Sequence, residues 1–495
     1  MALSRSRVIG FPTEALVLAA TLSGTAASHA AVTISTAATS NMSCVSGVCT
    51  PTAANAVLNV SDLTTMLGSG NVQVNTGSGS LAQQVEDIFV AASFNWASAN
   101  GITLDAYRSV TVQQPVAANG SAPVSLVTND GGSGGALFFI SGGSLSFLSP
   151  TNSLSINGAS YTLVSSIAAL AADIAADPKG RYALSASYNA GPDGTYQKSP
   201  IPNKFKGEFN GLGNTISNLS ISAHSSKVAL FTELSASGSI SSVNLSMASI
   251  VAEDVKQRNA SYVGTLVSLN YGTLFNAFAS GQVDSDAGSN ILYGGGLVGV
   301  NDGAVQESAG AVDVLASRKN GPAPAGLGGI AGANGGTIED SYATGTVSTK
   351  GQALSGTIGG LVGLNGGTVT NCYAEGAATI VTTEYVGGLV GLTDTTIADS
   401  YSTGTVSGGH GSYVGGSVGY DESSGAVSDD YWDTTTSGIA NLSQGAGNIA
   451  NDPGITGETS AQLQAGLPTG FDPTVWAENP SINNGLPYLI ANPPQ

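Results

Sequence analysis

The chain has 495 residues, of which 68 are glycine and only 9% are charged, and its formal net charge is −19. Such acidity argues against a nucleic-acid partner, because phosphate binding needs clusters of basic residues. The apolar share of 41% is too high for a disordered chain. The glycine excess has no collagen period, so it favours tight corners and exposed strands.

Residues 1–30 have the pattern of a signal peptide. Arg5 and Arg7 form a basic start, and the apolar run Ala15–Leu22 follows it. The small residues around Ala30 then predict cleavage after that position. The apolar run is too short to span a membrane, and no later apolar segment is as long. We therefore expect a secreted or cell-surface protein without a transmembrane anchor.

Residues 31–150 alternate between apolar and polar positions, with turn residues between short runs such as 57–60, 72–74, 102–104 and 124–127. This spacing predicts short strands that form the narrow coils of an N-terminal β-solenoid. Cys44 and Cys49 flank a short loop and predict a disulfide, because an exported protein matures in an oxidising compartment. A metal site would need more ligands than this loop supplies, so we expect none.

Residues 151–204 predict a connector. The Ala-rich run Ile167–Ile174 is the best helix candidate of the chain, and Asp177 and Pro178 end it. The expected fold therefore contains one short inserted helix. The segment from Phe205 to Ile216 predicts the first strand of a second solenoid that continues to residue 437.

Residues 205–437 contain a recurring glycine motif. It reads Gly-Gly-Leu-Val-Gly or a close variant, and its steps of roughly 28 to 33 residues are typical of stacked repeats. The glycine pairs are Gly295 and Gly296, Gly328 and Gly329, Gly359 and Gly360, Gly387 and Gly388, and Gly415 and Gly416. A repeat this small buries an apolar face only by lying on its neighbours. The glycines would permit tight corners and close backbone approach.

Two further columns recur at a constant spacing within the repeats. The aliphatic column is Leu274, Val305, Ile338, Val369, Ile397 and Val427, and the aromatic column four residues later is Phe278, Ala309, Tyr342, Tyr373, Tyr401 and Tyr431. An even offset puts both columns on one face of a strand. This predicts that the tyrosines belong to the solenoid core rather than to a sugar-stacking strip.

Carboxylates suggest other chemistry at two places. One column, two residues before the aromatic one, is Asn276, Glu307, Asp340, Asn371, Asp399 and Asp429, and the densest acidic group is Asp421, Glu422, Asp429, Asp430 and Asp433. Paired carboxylates could hydrolyse glycosides, and oxygen ligands could hold calcium. Turn residues and a solvated column explain both sets more simply. We therefore predict no catalytic, cofactor-binding or metal-binding residue.

Other side chains point to structure rather than chemistry. Cys372 takes a position that holds Ala or Ser in sister repeats, and the two histidines His224 and His410 lie far apart in repeat register. We therefore expect Cys372 to be a small residue on a tight strand, and both histidines to lie at the surface. Residues 438–495 lose the repeat and contain Trp476 and Leu489, which predicts a capping segment over the open end of the solenoid.

The repeats resemble the GLUG motif, both in the glycine pairs and in the runs that include Tyr342, Tyr373 and Tyr401. The run from Tyr431 to Gly438 and the final Ile482–Leu489 are similar to bacterial filamentous-haemagglutinin-like proteins. That resemblance implies a right-handed parallel β-helix, export and surface adhesion. The family's Asn-Pro-Asn-Gly secretion signature is absent here, and so is the His-Glu-x-x-His motif of GLUG-bearing metallopeptidases.

The sequence therefore predicts an all-β, exported adhesin rather than an enzyme. Its partners would be cell-surface or extracellular-matrix glycans or proteins, and an outer-membrane partner could serve its secretion. Two alternatives stay open at this point. One is a carbohydrate-active β-helix enzyme, a polysaccharide lyase or glycoside hydrolase. The other is a purely structural component of a surface or biofilm.

Overall fold

The computed structural model describes residues 30–77, 85–253, 260–286, 291–317, 323–350, 354–381 and 384–494. Its fold is all-β, with parallel strands stacked in a solenoid of about 11 turns. This confirms the predicted β-solenoid. The predicted signal peptide lies outside the described residues, apart from its last position.

The N-terminal part consists of coils with three faces. One face contains Ala30–Ser35, Ala56–Asn59, Val85–Val90, Val110–Val112 and Leu137–Phe139. A second contains Phe94–Trp96, Val116–Ala118 and Leu145–Phe147. The third contains Met42–Val45, Val48–Pro51, Val72–Asn75, Ile102–Asp105, Pro123–Val127 and Ser153–Ile156. Ile88 pairs with Val110, so the narrowest coil takes about 22 residues.

Four strands join this part to the second solenoid: Ala159–Val164, Arg181–Leu184, Tyr188–Asn189 and Thr195–Tyr196. The first forms an antiparallel hairpin with Ser153–Ile156 and then pairs in parallel with Arg181–Leu184. Arg181–Leu184 in turn pairs with Glu208–Asn210. The strand ladder is thus continuous from residues 159–164 into the repeats.

Three α-helices occur in the described chain: α1 (Val60–Ser69), α2 (Ile167–Ala176) and α3 (Ser460–Leu463). Short 3-10 turns span Gly191–Asp193 and Asn483–Gly485. Helix α2 confirms the predicted helix, and its Ile174 is buried at the start of the second core. The expectation of one helix was wrong, since the side chain of Asn59 accepts bonds from two backbone amides and begins α1 at the last residue of the predicted strand run 57–60.

The glycine corners lie between two seven-stranded faces. The face before the corner contains the strands Lys227–Val228, Ser261–Val263, Leu292–Gly295, Ala323–Gly328, Leu354–Gly359, Tyr385–Gly387 and Tyr413–Gly415. The face after the corner contains the strands Phe231–Leu234, Val267–Asn270, Val298–Asn301, Ala331–Asn334, Val362–Asn365, Val390–Thr393 and Val418–Asp421. A Cβ on Gly360 would lie 2.2 Å from the carbonyl oxygen of Gly388 in the next coil. Close approach of backbones therefore requires glycine here.

Two more faces complete each repeat. The aliphatic face contains Glu208–Asn210, Ser239–Ser241, Thr273–Phe275, Ala304–Gln306, Thr337–Glu339, Thr368–Thr370, Ile397–Ser402 and Val427–Asp433. The next contains Thr215–Ser217, Ser220–Ala223, Asn244–Ala252, Phe278–Asp286, Ala309–Ser317, Tyr342–Ala343, Val347–Lys350, Tyr373–Ala374, Ala378–Thr379 and Val406–Ser407. Ile455–Glu458 adds to the last coil, and Trp476–Ala477 pairs with Tyr488–Leu489 in the tail.

A buried amide ladder joins consecutive coils after the glycine corner. Asn270 donates to Asn301 at 2.7 Å, Asn301 donates to Asn334 at 2.8 Å, and Asn334 donates to Asn365 at 2.9 Å. Each bond satisfies a polar group that burial would otherwise leave unpaired. The ladder fixes the register of the stack and was not predicted from the sequence.

The aliphatic and aromatic columns do not share a strand face, so that prediction was wrong. Both columns stack in register, but the residue midway between them is left-handed in every repeat, with φ between 47° and 52°. Those residues are Asn276, Glu307, Asp340, Asn371, Asp399 and Asp429. This one-residue bend inverts the alternation of inward and outward side chains along the chain. Ile338 therefore packs in the solenoid core, while Tyr342 faces outward into a separate cluster.

Candidate functional site

The outward tyrosines form a stacked ladder along the flank of the solenoid. Ring centroids of Tyr342 and Tyr373 are 4.7 Å apart, those of Tyr373 and Tyr401 are 5.1 Å apart, and the planes are within 7° of parallel. All four, including Tyr431, are nevertheless buried. The predicted burial holds, but the covering groups come from the tail rather than from the solenoid core.

The C-terminal strap (residues 459–494) provides that cover. Its apolar anchors are Leu463, Phe471, Trp476 and Leu489, all in one cluster with the tyrosines. Tyrosine hydroxyls donate to strap carbonyls, from Tyr401 to Pro487 at 2.7 Å and from Tyr431 to Thr469 at 2.8 Å. The strap thus runs back along the flank, whereas the sequence suggested a segment folded over the open end.

The far end of the strap lies over the left-handed acidic column. Asn492 donates to the carbonyl oxygens of Ser308 and Asp340. Burial raises the pKa of Glu307 well above its usual range, and Asp340 and Glu339 add to the shift. Burial, with Glu339, raises the pKa of Asp340 to about 7. Glu307 and Asp340 therefore hold their protons more readily than exposed carboxyl groups do.

The acidic group at 421–433 is dispersed by the fold. Asp430 points into the core, where it accepts from Ser417, and Asp433 accepts from the backbone amides of the next turn. Asp429 lies on the outer corner against Gly470 of the strap, and Glu422 is exposed. These carboxylates thus face different environments and do not line a common cleft.

The cysteine and histidine positions are structural. The thiol of Cys372 is fully buried and donates to the carbonyl oxygen of Thr370 at 3.2 Å, and burial raises its pKa. The exposed His224 contacts Glu253 at 2.9 Å, and His410 is exposed. Cys44 and Cys49 are bonded across a β-hairpin.

An exposed tyrosine surface, formed by Tyr385, Tyr413 and Tyr420, was missed in the sequence. Tyr385 and Tyr413 are paired across adjacent coils before the glycine corner, and Tyr420 follows that corner on the next face. Ring centroids are 4.5 Å apart for Tyr385 and Tyr420 and 5.0 Å for Tyr413 and Tyr420, the latter pair edge to face. Such tilted packing is favourable for aromatic rings.

The tyrosine surface offers an accessible ring and a hydroxyl group that can form hydrogen bonds. Tyr413 is 45% exposed. Burial raises the pKa of the Tyr385 hydroxyl, with a further contribution from the nearby carboxylates of Glu384 and Glu422. The hydroxyl therefore keeps its proton at neutral pH and can donate. The arrangement offers apolar ring faces beside donors and carboxylate acceptors. A signal existed in the sequence, since Tyr385 and Tyr413 are 28 residues apart, as are the neighbouring glycine pairs.

The described ranges contain neither a metal-ligand cluster nor a membrane-spanning helix. Among these residues, no group of three or more His, Cys, Asp or Glu side chains is arranged to hold a metal ion. None of the helices in the same ranges is long and apolar enough to cross a bilayer.

Comparison with known proteins identifies the repeats. The family described as the GLUG motif matches residues 323–348, 355–381 and 382–407, which confirms the motif seen in the sequence. The chain is 34% identical over 153 residues to Halomucin of Haloquadratum walsbyi. That match spans 30% of this chain and 1% of Halomucin.

Among solved structures, the chain is similar to a protein from Bacteroides ovatus that is provisionally named an immunoglobulin A1 protease. The two chains are 20% identical with a TM-score of 0.38. The match covers 63% of this chain and 86% of the other.

Proposed function

We propose that this chain is an exported, surface-displayed or secreted β-solenoid that mediates adhesion by binding glycans of neighbouring cells or matrix. The GLUG repeats and the local likeness to Halomucin support a surface protein. Its filamentous-haemagglutinin-like character rests on the sequence resemblance alone. The bond between Cys44 and Cys49 supports maturation in an oxidising compartment. The predicted signal peptide also supports export from the cytosol.

The observation that carries the proposal is the exposed tyrosine surface. Sugar rings present apolar C–H faces together with hydroxyl groups, and aromatic side chains with a polar tip match both properties. Tyr413 offers an open ring, while Glu384 and Glu422 stand beside the cluster as acceptors for sugar hydroxyls. The net charge of −19 disfavours acidic polysaccharides, so the ligands are neutral or basic glycans.

The test is glycan binding by the purified full chain and by two alanine variants. Tyr413→Ala should weaken binding roughly fivefold, since a stacked ring contributes about 1 kcal/mol. Tyr271→Ala is the matched control, because Tyr271 is 37% exposed, lies outside the tyrosine surface and has the Nζ of Lys204 over its ring. Product analysis runs in parallel. Absence of saturable glycan binding, equal loss in both variants, or release of shortened sugars would each refute the adhesin.

A further inference from the structure

The outer face of the N-terminal solenoid carries a groove of about 480 Å³, remote in sequence from the tyrosine surface. Its floor crosses four parallel strands, whose outward side chains are Gln73, Thr103, Ser125 and Ser155. Parallel strands are about 4.8 Å apart, so this row spans roughly 14 Å. The groove is therefore long enough for a short chain of sugar units.

A hairpin lies at each end of the groove, and both hairpins continue the sheet that forms its floor. One end is the tip of the disulfide hairpin, Ser46, Gly47 and Val48, and the other is Ser160 and Tyr161 of the hairpin that leads into the second solenoid. The first tip is rigid, because Gly47 accepts from the amide of Gln73 at 2.8 Å and the disulfide lies behind it. A preorganised groove loses little entropy when it binds a ligand.

The side chains of the groove are already oriented. Gln73 donates to Asp105 at 3.0 Å, Ser155 donates to Ser125 at 3.0 Å, and the hydroxyl of Tyr161 donates to Glu208. Each hydroxyl or amide has further bonding capacity. The floor thus presents a row of donors and acceptors, with the exposed Ser160 at one end and the exposed Val48 at the other.

The groove is uncharged. All seventeen residues that line it are Gly, Pro, aliphatic, hydroxyl or amide residues, with Tyr161 the one aromatic side chain among them. A phosphate, sulfate or uronate would find no cationic partner among these lining residues, and the acidic chain would repel it. A neutral, hydroxyl-rich ligand can use every polar group without leaving a charge buried.

We infer that this groove is a second binding site, which takes a short neutral oligosaccharide. It goes beyond the proposed function, because it uses different residues and does not need the tyrosine surface. The row of four floor residues matches a short chain of sugar units, whereas the tyrosine surface is a single cluster of rings. The two sites together would let one molecule hold two glycans.

Calorimetry with neutral oligosaccharides of two to six sugar units tests the groove in the full chain. Thr103→Arg fills the floor and should lower affinity at least tenfold without changing the melting temperature. Asn95→Arg is the control, since Asn95 is exposed on another face of the same coil. Ser155→Ala is the milder variant if Thr103→Arg fails to fold, and it should lower affinity about fivefold through a lost hydrogen bond.

Tyr413→Ala separates this inference from the proposed function, because groove binding should survive it. No binding of any oligosaccharide in the millimolar range would overturn the groove site. So would equal affinities in Thr103→Arg and Asn95→Arg, or binding of uncharged extended peptides in place of sugars. Loss of binding in Tyr413→Ala alone would leave the tyrosine surface as the glycan site and refute the groove.

Discussion

Ser417 donates a hydrogen bond of 2.5 Å to Asp430 inside the last repeat coil. Ser417 occupies the ladder position of Leu389, and Asp430 occupies that of Ser400. Both residues therefore differ from their counterparts in the preceding coil. Ser417 supplies the hydrogen-bond donor, and Asp430 supplies the acceptor. A hydrogen-bonded Ser–Asp pair thus stands where the preceding coil has Leu389 and Ser400.

Asp430 predicts a pH-dependent stability. Burial raises its pKa from 3.8 to about 8, so the folded state holds a proton that the unfolded state releases. The contribution of this carboxyl is complete below about pH 4 and is lost as pH rises towards about 8. In Asp430→Asn, the free energy of unfolding should fall less over that range than in the wild type, as measured by denaturant titration. Glu422→Gln, at an exposed carboxyl, is the control, and parallel pH profiles for wild type and Asp430→Asn would contradict the prediction.

Asp340 predicts a second pH effect, on the end of the strap. Its pKa of about 7 means that the carboxyl ionises near neutrality, beneath Asn492. Amide hydrogen exchange of residues 490–492 should therefore rise as pH increases through 7, after correction for the intrinsic exchange rate. Asp340→Asn should remove the rise at no cost in backbone strain, because Asn371 adopts the same left-handed conformation one coil later. An unchanged rise in that variant, with the exposed Asp394→Asn as control, would disprove the effect.

Two tyrosines of the covered ladder should respond differently to loss of their hydroxyl. Tyr401 donates to Pro487 and accepts from Asn483, whereas the hydroxyl of Tyr373 has no hydrogen-bond partner within the described part of the chain. Tyr401→Phe should destabilise the strap by about 1–3 kcal/mol, since it leaves buried groups unpaired. Tyr373→Phe should be neutral or stabilising. Limited proteolysis of the strap measures both, and equal protection in the two variants would refute the assignment.

The repeat and its stacking could be predicted because a constant spacing in sequence becomes a ladder in space. The even offset in sequence could not predict which face of the solenoid wall the tyrosines occupy. A left-handed residue between the two columns inverts the alternation of side chains. The signal was present, because Asn and Asp recur at that position and tolerate positive φ. The sequence indicated a cap but not its path along the flank, since Trp476 contacts Tyr373, which lies about a hundred residues earlier. The groove likewise depends on strands that come together only in the stack.

The glycine motif predicts unequal effects for two glycines of one coil. A Cβ on Gly360 would lie 2.2 Å from the carbonyl oxygen of Gly388 and 2.9 Å from the Cβ of Ala374. Gly360→Ala should therefore force the coils apart and cost about 1–3 kcal/mol, the usual range for overpacking. Gly366→Ala is the matched control, because its Cβ would approach no atom closer than 3.5 Å. That control should be neutral or slightly stabilising, since alanine restricts the unfolded chain. Thermal unfolding of both variants decides, and equal melting temperatures would mean that close coil packing does not require the motif glycine.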